Sequence, residues 1–130
     1  MDIFKEFAVD ESKENEGVWH ALCEGRMLVA RAGNRRYARM LSREVEKHQR
    51  ELDAKTDAAD ALSDKIMIDV MANTILLGFE GLTFKGAPLA YSVENAKMLL
   101  SVKDFRSLVN ARANEFDAYR AVQEEDAVKN

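Results

Sequence analysis

The stretch IMIDVMANTILL, residues 66–77, is apolar on nearly every side when it is drawn as a helix. Such a helix belongs in the centre of a domain, because none of its faces is suited to water. The sequence therefore predicts a long central helix that Thr56 or Asp57 caps and that runs to about Leu77. Gly78 is its predicted stop signal.

The segments before this helix predict a hairpin and an amphipathic helix. Residues 18–31 form two short apolar runs, with Gly25 placed to supply the positive φ of a tight turn. Trp19 is a large apolar anchor on the first predicted strand. Residues 35–53 carry apolar side chains at helical spacing, and Asn34 is the predicted N-cap.

The segments after it predict a further hairpin and two helices. Residues 79–91 contain glycine and proline among large apolar residues, which indicates a second hairpin or an extended loop that packs on the first. Ser92 is expected to cap a short helix that ends near residue 101. Asp104 is expected to cap a final helix over residues 105–126.

Together these elements predict one helix-dominated α+β domain over residues 17–130. It has about four helices and one or two small β-hairpins. Residues 1–16 carry six acidic side chains and two lysines, and they predict an acidic, partly ordered N-terminal arm.

Composition narrows the class of protein. The chain has 130 residues, of which 47% are hydrophobic, and this content is too high for global disorder. Its net charge of −4 disfavours a dedicated nucleic-acid-binding protein. The single cysteine, Cys23, cannot form an intrachain disulfide. No apolar run is long enough for a signal peptide or a membrane span, so a soluble protein of the cytoplasm is expected.

Nothing in the sequence supports catalysis. It holds two histidines and no HExxH, P-loop, GxGxxG or CxxC motif. Asp57, Asp60 and Asp64 lie on one side of a helix, where a solvated face is the simpler interpretation than a cation site. The sequence predicts no catalytic residue, no metal site and no cofactor.

The basic residues are concentrated in one helix. Residues 34–53 contain six basic and four acidic side chains, against an acidic remainder of the chain. A functional surface for anions is one interpretation of this face, and an ordinary solvated helix face is the other. The candidate partner-binding arginines are Arg35, Arg36, Arg39 and Arg43.

The apolar content of residues 66–77 is a second candidate surface. It exceeds what one helix face of a small domain needs, and methionines adapt to varied partners. An oligomer interface or a groove for a partner helix is the functional interpretation, and core burial is the alternative. The candidate residues are Ile66, Met67, Val70, Met71 and Met98.

Two charged residues interrupt apolar helix faces. Asp69 lies in the most apolar helix, and Arg112 lies on the apolar face of the last helix. Because a buried carboxylate needs a partner, Asp69 is predicted to pair with Arg112 or with a basic side chain of the first long helix. The alternative is that both reach the rim of the core and meet water.

The order of several short motifs resembles that of the tail assembly chaperones of long-tailed bacteriophages. The similarity covers residues 16–130, with Phe79 at a position where the family pattern suggests tryptophan and with an unusual loop at residues 83–86. The motifs are EGVW (16–19), RAGNRRYARML (31–41), LLGFEGL (76–82), AYSVENAKMLL (90–100) and FDAYRAVQEEDAVKN (116–130).

The resemblance implies a protein that is not an enzyme. Such chaperones bind the long, helical, aggregation-prone tape measure protein, keep it soluble and help recruit tail tube subunits. They act in the host bacterial cytoplasm and leave before the virion matures, and many also exist in a longer, frameshifted form. The partners implied are therefore the tape measure and tail tube proteins, with no nucleic acid and no membrane, and a homo-oligomer is left open.

Two other functions remain as alternatives. A small nucleic-acid-binding or regulatory module would use the arginine-bearing helix face at residues 35–43, and retention on heparin would distinguish it. A structural connector would stay in the particle, where mass spectrometry of purified virions would detect it.

Overall fold

The computed structural model describes residues 1–121 and shows a mixed α+β domain. The predicted class is right, but the prediction of about four helices is wrong, because this part of the chain forms eight helices and five strands. The helices are α1 (Ile3–Glu6), α2 (Glu11–Glu16), α3 (Arg35–Lys47), α4 (Gln49–Asp53), α5 (Asp57–Thr74), α6 (Val93–Leu100), α7 (Lys103–Ala113) and α8 (Phe116–Tyr119). The strands are β1 (Val18–Leu22), β2 (Gly25–Val29), β3 (Leu76–Glu80), β4 (Thr83–Phe84) and β5 (Ala87–Pro88).

Helix α5 is the central helix, but it is shorter than predicted. The Thr56 hydroxyl accepts a hydrogen bond from the Ala59 backbone N–H at 3.1 Å, so the predicted cap is confirmed. The helix ends at Thr74 and not near Leu77, and the rest of the apolar run enters strand β3. Gly78 therefore lies inside a strand and is not the helix stop.

Three strands form one antiparallel sheet in the order β1-β2-β3. The predicted first hairpin is confirmed, with Leu22 paired to Gly25 across a two-residue turn. The positive φ of that turn belongs to Cys23, at 52°, and not to Gly25 as predicted. The third strand was not predicted, because its residues continue the apolar run of the central helix.

The second predicted hairpin is small and stands apart from the main sheet. Strands β4 and β5 pair with each other only. The two turn residues, Lys85 and Gly86, both have positive φ, at 52° and 80°, as type I′ hairpin turns require.

Two predicted long helices are each broken in two. The segment 35–53 divides at His48, whose φ of −112° leaves the helical range, into α3 and α4. The predicted final helix divides after Ala113 into α7 and α8. Val102 precedes α7 without a side-chain cap, so the predicted cap at Asp104 is wrong. The last predicted helical residues, 122–126, lie outside the described part of the chain.

The core lies between one face of the sheet and helices α5, α6 and α7. Tyr91 makes two contacts with this core. Its ring meets the Phe79 ring edge-on, with the ring centroids 5.2 Å apart, and its hydroxyl donates a hydrogen bond to the Leu76 carbonyl. The buried residues of this cluster are Met27, Val29, Met71, Ala72, Ile75, Leu76, Phe79, Ala96, Leu100, Val109 and Ala113.

The segment predicted as an N-terminal arm consists of α1 and α2, packed near α8. Val9 forms an isolated antiparallel bridge with Arg120. The Asp10 N–H donates to the Tyr119 carbonyl, and the Ala121 N–H donates to the Ala8 carbonyl, both at 2.9 Å. The two ends of the described chain are therefore joined.

Candidate functional site

The apolar residues predicted to bind a partner are mostly core residues. Ile66, Val70 and Met71 are each no more than 5% exposed, because α5 is covered by other elements of the domain. Met67 and Met98 are half-buried, and Met67 lies 3.9 Å from the Tyr37 hydroxyl. The central helix thus forms the interior of the domain, and the exposed large apolar side chains lie on other elements.

Exposed large apolar side chains cluster on α1 and on the residue that follows it. Ile3, Phe4 and Phe7 are 52%, 90% and 58% exposed, and we call these three residues the N-terminal apolar surface. Phe7 also contacts the Phe116 ring at 5.3 Å. The sequence carried the signal for this surface, an N-cap at Asp2 followed by apolar residues at helical spacing.

The position of the N-terminal apolar surface is fixed from both of its sides. At its start, the Asp2 carboxylate accepts a hydrogen bond from the Phe4 N–H at 3.0 Å and so caps the helix. At its end, the bridge between Val9 and Arg120 ties the segment to α8. These contacts hold Phe4 facing water on an ordered element.

Trp19 lies on the sheet and not in the core. It is 39% exposed, and the Arg26 guanidinium carbon lies 3.9 Å from its ring centroid. Arg26 in turn pairs with Glu80 at 2.8 Å. The ring also reaches Gly78 on β3, since a Cβ added there would lie 3.6 Å from it. Trp19 therefore covers the outer face of the sheet.

The structure separates the four candidate arginines into two groups. Arg35, Arg39 and Arg43 are exposed on α3. Arg36 is engaged within the domain, because its guanidinium donates to the Asn73 carbonyl at 2.8 Å. Among these four, Arg35, Arg39 and Arg43 have no partner within residues 1–121 and are open to an outside anion.

The predicted pair between Asp69 and Arg112 is wrong. The Asp69 carboxylate lies 3.5 Å from the Lys97 ammonium on α6, and this contact raises the pKa of Lys97. Arg112 pairs instead with Glu115 on the following turn, at 2.6 Å. The side chains of both ion pairs are between 32% and 43% exposed, where water screens the attraction, so each pair contributes little to stability.

A histidine–tyrosine contact links β1 to α8. The buried Tyr119 hydroxyl donates to the Val29 carbonyl at 2.7 Å, and its oxygen lies 3.3 Å from His20 Nε2. Burial lowers the pKa of His20 from 6.5, opposed by Glu115 and assisted by Arg112. Burial also raises the pKa of Tyr119 to about 12, with Glu115 adding to the effect. Both groups are therefore held neutral in the fold.

These pKa directions predict how stability depends on pH. The folded pKa of His20 lies below its ordinary value of 6.5, so its contribution is complete above pH 6.5 and is lost as the pH falls through the folded pKa. The folded pKa of Tyr119 lies above 10, so its contribution is lost only as the pH rises toward about 12.

Urea unfolding of the wild type and of His20→Gln across this range measures the effect. Glutamine keeps an N–H donor for the tyrosine but does not titrate, so its unfolding free energy should fall less steeply below pH 6.5. Identical slopes for the two proteins would show that His20 is not responsible.

The described residues provide neither a cluster of metal ligands nor a membrane-spanning helix. Within residues 1–121, no group of three or more His, Cys, Asp or Glu side chains is placed to hold a metal ion. In the same residues, no helix is long and apolar enough to cross a membrane.

Comparison with known proteins connects the chain to phages. A family model described as "YdaY prophage protein" matches residues 32–130, which is well over half of the chain. No curated protein and no solved structure matches the chain. The match confirms the expected phage or prophage origin, and it covers everything from the end of the first hairpin onward. The chain belongs to the YdaY prophage protein family.

Proposed function

We propose that this prophage protein is a tail assembly chaperone. It binds the tape measure protein, keeps it soluble in the host cytoplasm, promotes assembly of the tail tube and is absent from the mature virion. It is not an enzyme. The observation that carries the proposal is the N-terminal apolar surface, a group of three large apolar side chains held on the outside of a highly charged domain.

The chemistry of this surface suits a helical partner. Phe4 alone leaves nearly its whole ring in water, and exposed aromatic side chains are frequent anchors at protein interfaces. An apolar face of a partner helix would remove these rings from water, with the hydrophobic effect as the main source of affinity. Asp2 and Glu6, on the same helix, form part of a charged rim that keeps the free protein soluble.

Two further observations support the proposal. The sequence resembles tail assembly chaperones over residues 16–130, and the family match places the chain among prophage proteins. In the resembling family the client is long, helical and prone to aggregate, which is the kind of protein that an exposed apolar surface on a soluble domain would shield.

Co-expression with a segment of the tape measure protein from the same prophage tests the proposal. The wild type should raise the soluble fraction of the segment and co-purify with it. The double variant Ile3→Ser/Phe4→Ser should bind the segment at least about tenfold more weakly, because it removes the central apolar contact.

Val102→Ser/Phe84→Ser is the matched control. It also removes two exposed apolar side chains, 57% and 45% exposed, but from other elements of the domain. The control should retain binding. The proposal fails if the wild type does not increase the solubility of the segment, or if both double variants lose binding equally.

Mass spectrometry of purified virions tests the place of action. A chaperone that leaves before maturation should be absent from particles while it is abundant in the lysate of induced cells. Stoichiometric protein in the particle would instead identify a structural connector.

A further inference from the structure

Four basic side chains form a row along α3. Arg35, Arg39, Arg43 and Lys47 follow one another at intervals of four residues, and all four are exposed. We call these residues the basic strip. Within residues 1–121, none of them makes an ion pair, a side-chain hydrogen bond or a contact with an aromatic ring.

The other arginines of the described chain are mostly engaged. Each of six has a partner in the domain, and only Arg50, which follows on α4, resembles the strip in having none among residues 1–121. The engaged arginines are Arg26, Arg31, Arg36, Arg106, Arg112 and Arg120. Arginines without a partner are therefore confined to α3 and α4.

The strip is unfavourable for the helix that carries it. Like charges four residues apart repel each other across each turn, and the strip contains three such neighbouring pairs. Arg35 adds a positive charge at the helix N-terminus, where the helix dipole favours anions, and the first turn has no acidic residue. Glu44 and Glu46 lie on the same helix, but neither forms an ion pair with a residue of the strip within residues 1–121. The positive charges of the strip are therefore available to an anion from outside.

The surroundings of α3 leave the strip accessible. Helices α3 and α4 pack on α5 and make no comparably extensive contact with any other described element. The apolar side of α3 faces α5, as the contact between the Tyr37 hydroxyl and Met67 shows. The strip therefore lies on the water-facing side of the helix pair α3 and α4.

We propose that the basic strip binds an acidic α-helix of a partner protein. Successive side chains of the strip are about 6 Å apart along the axis, the rise of four helical residues. A partner helix with carboxylates at the same spacing presents one carboxylate to each cation, in charge-assisted hydrogen bonds.

An acidic helix fits better than a nucleic acid. The whole chain carries a net charge of −4, and a long polyanion would meet this field beyond the strip. Two exposed carboxylates also stand in the first turn of α5, the helix against which α3 and α4 pack: Asp57 and Asp60. A single helix contacts the strip over about four turns and avoids these repulsions.

This inference is independent of the N-terminal apolar surface and of the identity of the tape measure protein. The basic strip is a second surface that binds through charge and not through apolar contact, and its test needs no phage component. A chain that binds acidic helices but not the tape measure segment would support this inference and contradict the proposed function.

The probe is an alanine-based helical peptide with glutamates at four positions spaced by four residues. Binding is followed at low salt by changes in the amide chemical shifts of α3. The wild type should bind this peptide, should release it as salt is added and should not bind a peptide with lysines in place of the glutamates. The triple variant Arg39→Gln/Arg43→Gln/Lys47→Gln should bind at least about tenfold more weakly.

A second triple variant controls for net charge. Lys65→Gln/Lys85→Gln/Lys103→Gln removes the same number of exposed positive charges from other elements of the domain, and it should bind as the wild type does. Glutamine keeps a helix propensity close to that of lysine and arginine, so both variants should fold. The strip variant should also melt at a higher temperature than the wild type, because it removes the repulsion.

Three outcomes would overturn the inference. The first is no binding of the acidic peptide by the wild type. The second is equal weakening by the two triple variants, which would show only a response to net charge. The third is tighter binding of a DNA duplex than of the peptide, lost in the strip variant, which would assign the strip to nucleic acid.

Discussion

Asn34→Ala is expected to lower the free energy of unfolding by about 2–4 kcal/mol. The Asn34 side chain is 1% exposed and makes three hydrogen bonds. Its Oδ1 accepts from the Tyr37 N–H at 3.0 Å and caps α3, while its Nδ2 donates to the Arg31 and Thr74 carbonyls at 2.8 and 3.1 Å. Alanine would remove the cap and the amide donor to the buried Thr74 carbonyl, while the Arg31 carbonyl would keep the backbone N–H of residue 34. Losing a buried partner costs more than losing a surface hydrogen bond.

Asn34→Asp separates the two roles of this side chain. Aspartate keeps the acceptor for the cap, but it replaces the donating amide by a carboxylate beside two carbonyl oxygens. We expect it to be at least as destabilising as alanine at neutral pH. Because the fold disfavours the charged form, the variant should become more stable relative to the wild type as the pH falls.

Asn73→Ala is the matched control for both substitutions. Asn73 Nδ2 makes a single hydrogen bond, to the Asp69 carbonyl one turn earlier, and the residue is half-buried. Its loss should cost no more than about 1 kcal/mol in urea unfolding. Similar losses for the Asn34 and Asn73 variants would contradict the role assigned to Asn34.

Gly25→Ala is also expected to have a large effect and to lower the free energy of unfolding by about 3 kcal/mol or more. A Cβ at this position would lie 2.3 Å from the Glu80 carbonyl oxygen and 3.0 Å from Gly81 backbone atoms. These are main-chain atoms of the neighbouring segment and cannot rotate away as a side chain could. Strands β2 and β3 would have to separate at this end of the sheet.

Gly78→Ala tests whether the effect is specific to this close approach. The added Cβ would meet Leu28 and Trp19 side-chain atoms at 3.4–3.7 Å, which is ordinary contact. The exchange should change stability by less than about 1 kcal/mol, since alanine costs less backbone entropy than glycine in a strand. Equal losses at the two glycines in urea unfolding would show that backbone crowding at Gly25 is not the cause.

Local signals in the sequence predicted the beginnings of several helices correctly. Asn34, Thr56 and Ser92 each cap the helix assigned to them, because a cap depends on a side chain and on N–H groups within three residues of it. The cap predicted at Asp104 is wrong because α7 begins at Lys103, two residues earlier than predicted, after Val102.

Elements that depend on distant contacts were not predictable in the same way. The run at residues 66–77 is equally apolar in its helical and strand parts, and only the pairing of Leu76 and Phe79 with β2 decides where the helix ends. The break between α7 and α8 likewise carries no proline or glycine. It brings Tyr119 to the Val29 carbonyl, a contact between residues far apart in the chain.

The candidate surfaces show the same limit. An apolar excess at Ile66, Val70 and Met71 does not reveal whether the domain itself will cover it, and here the domain does. The basic residues of α3 were recognisable because their four-residue spacing is local. Asp69 pairs with Lys97 because α6 packs on α5. No local sequence pattern identifies α6 as the neighbour of α5.

The bridge between Val9 and Arg120 also has a consequence for folding during synthesis. Asp10 and His20 take their partners from Tyr119, so β1 and the segment before it lack those contacts until nearly the whole described chain has left the ribosome. Contacts between such distant residues slow folding, because a long loop must close before they are gained. Phe7 is synthesised before Phe116, whose ring it contacts in the folded domain, so until the two rings meet Phe7 is exposed to the chaperones and proteases of the cell.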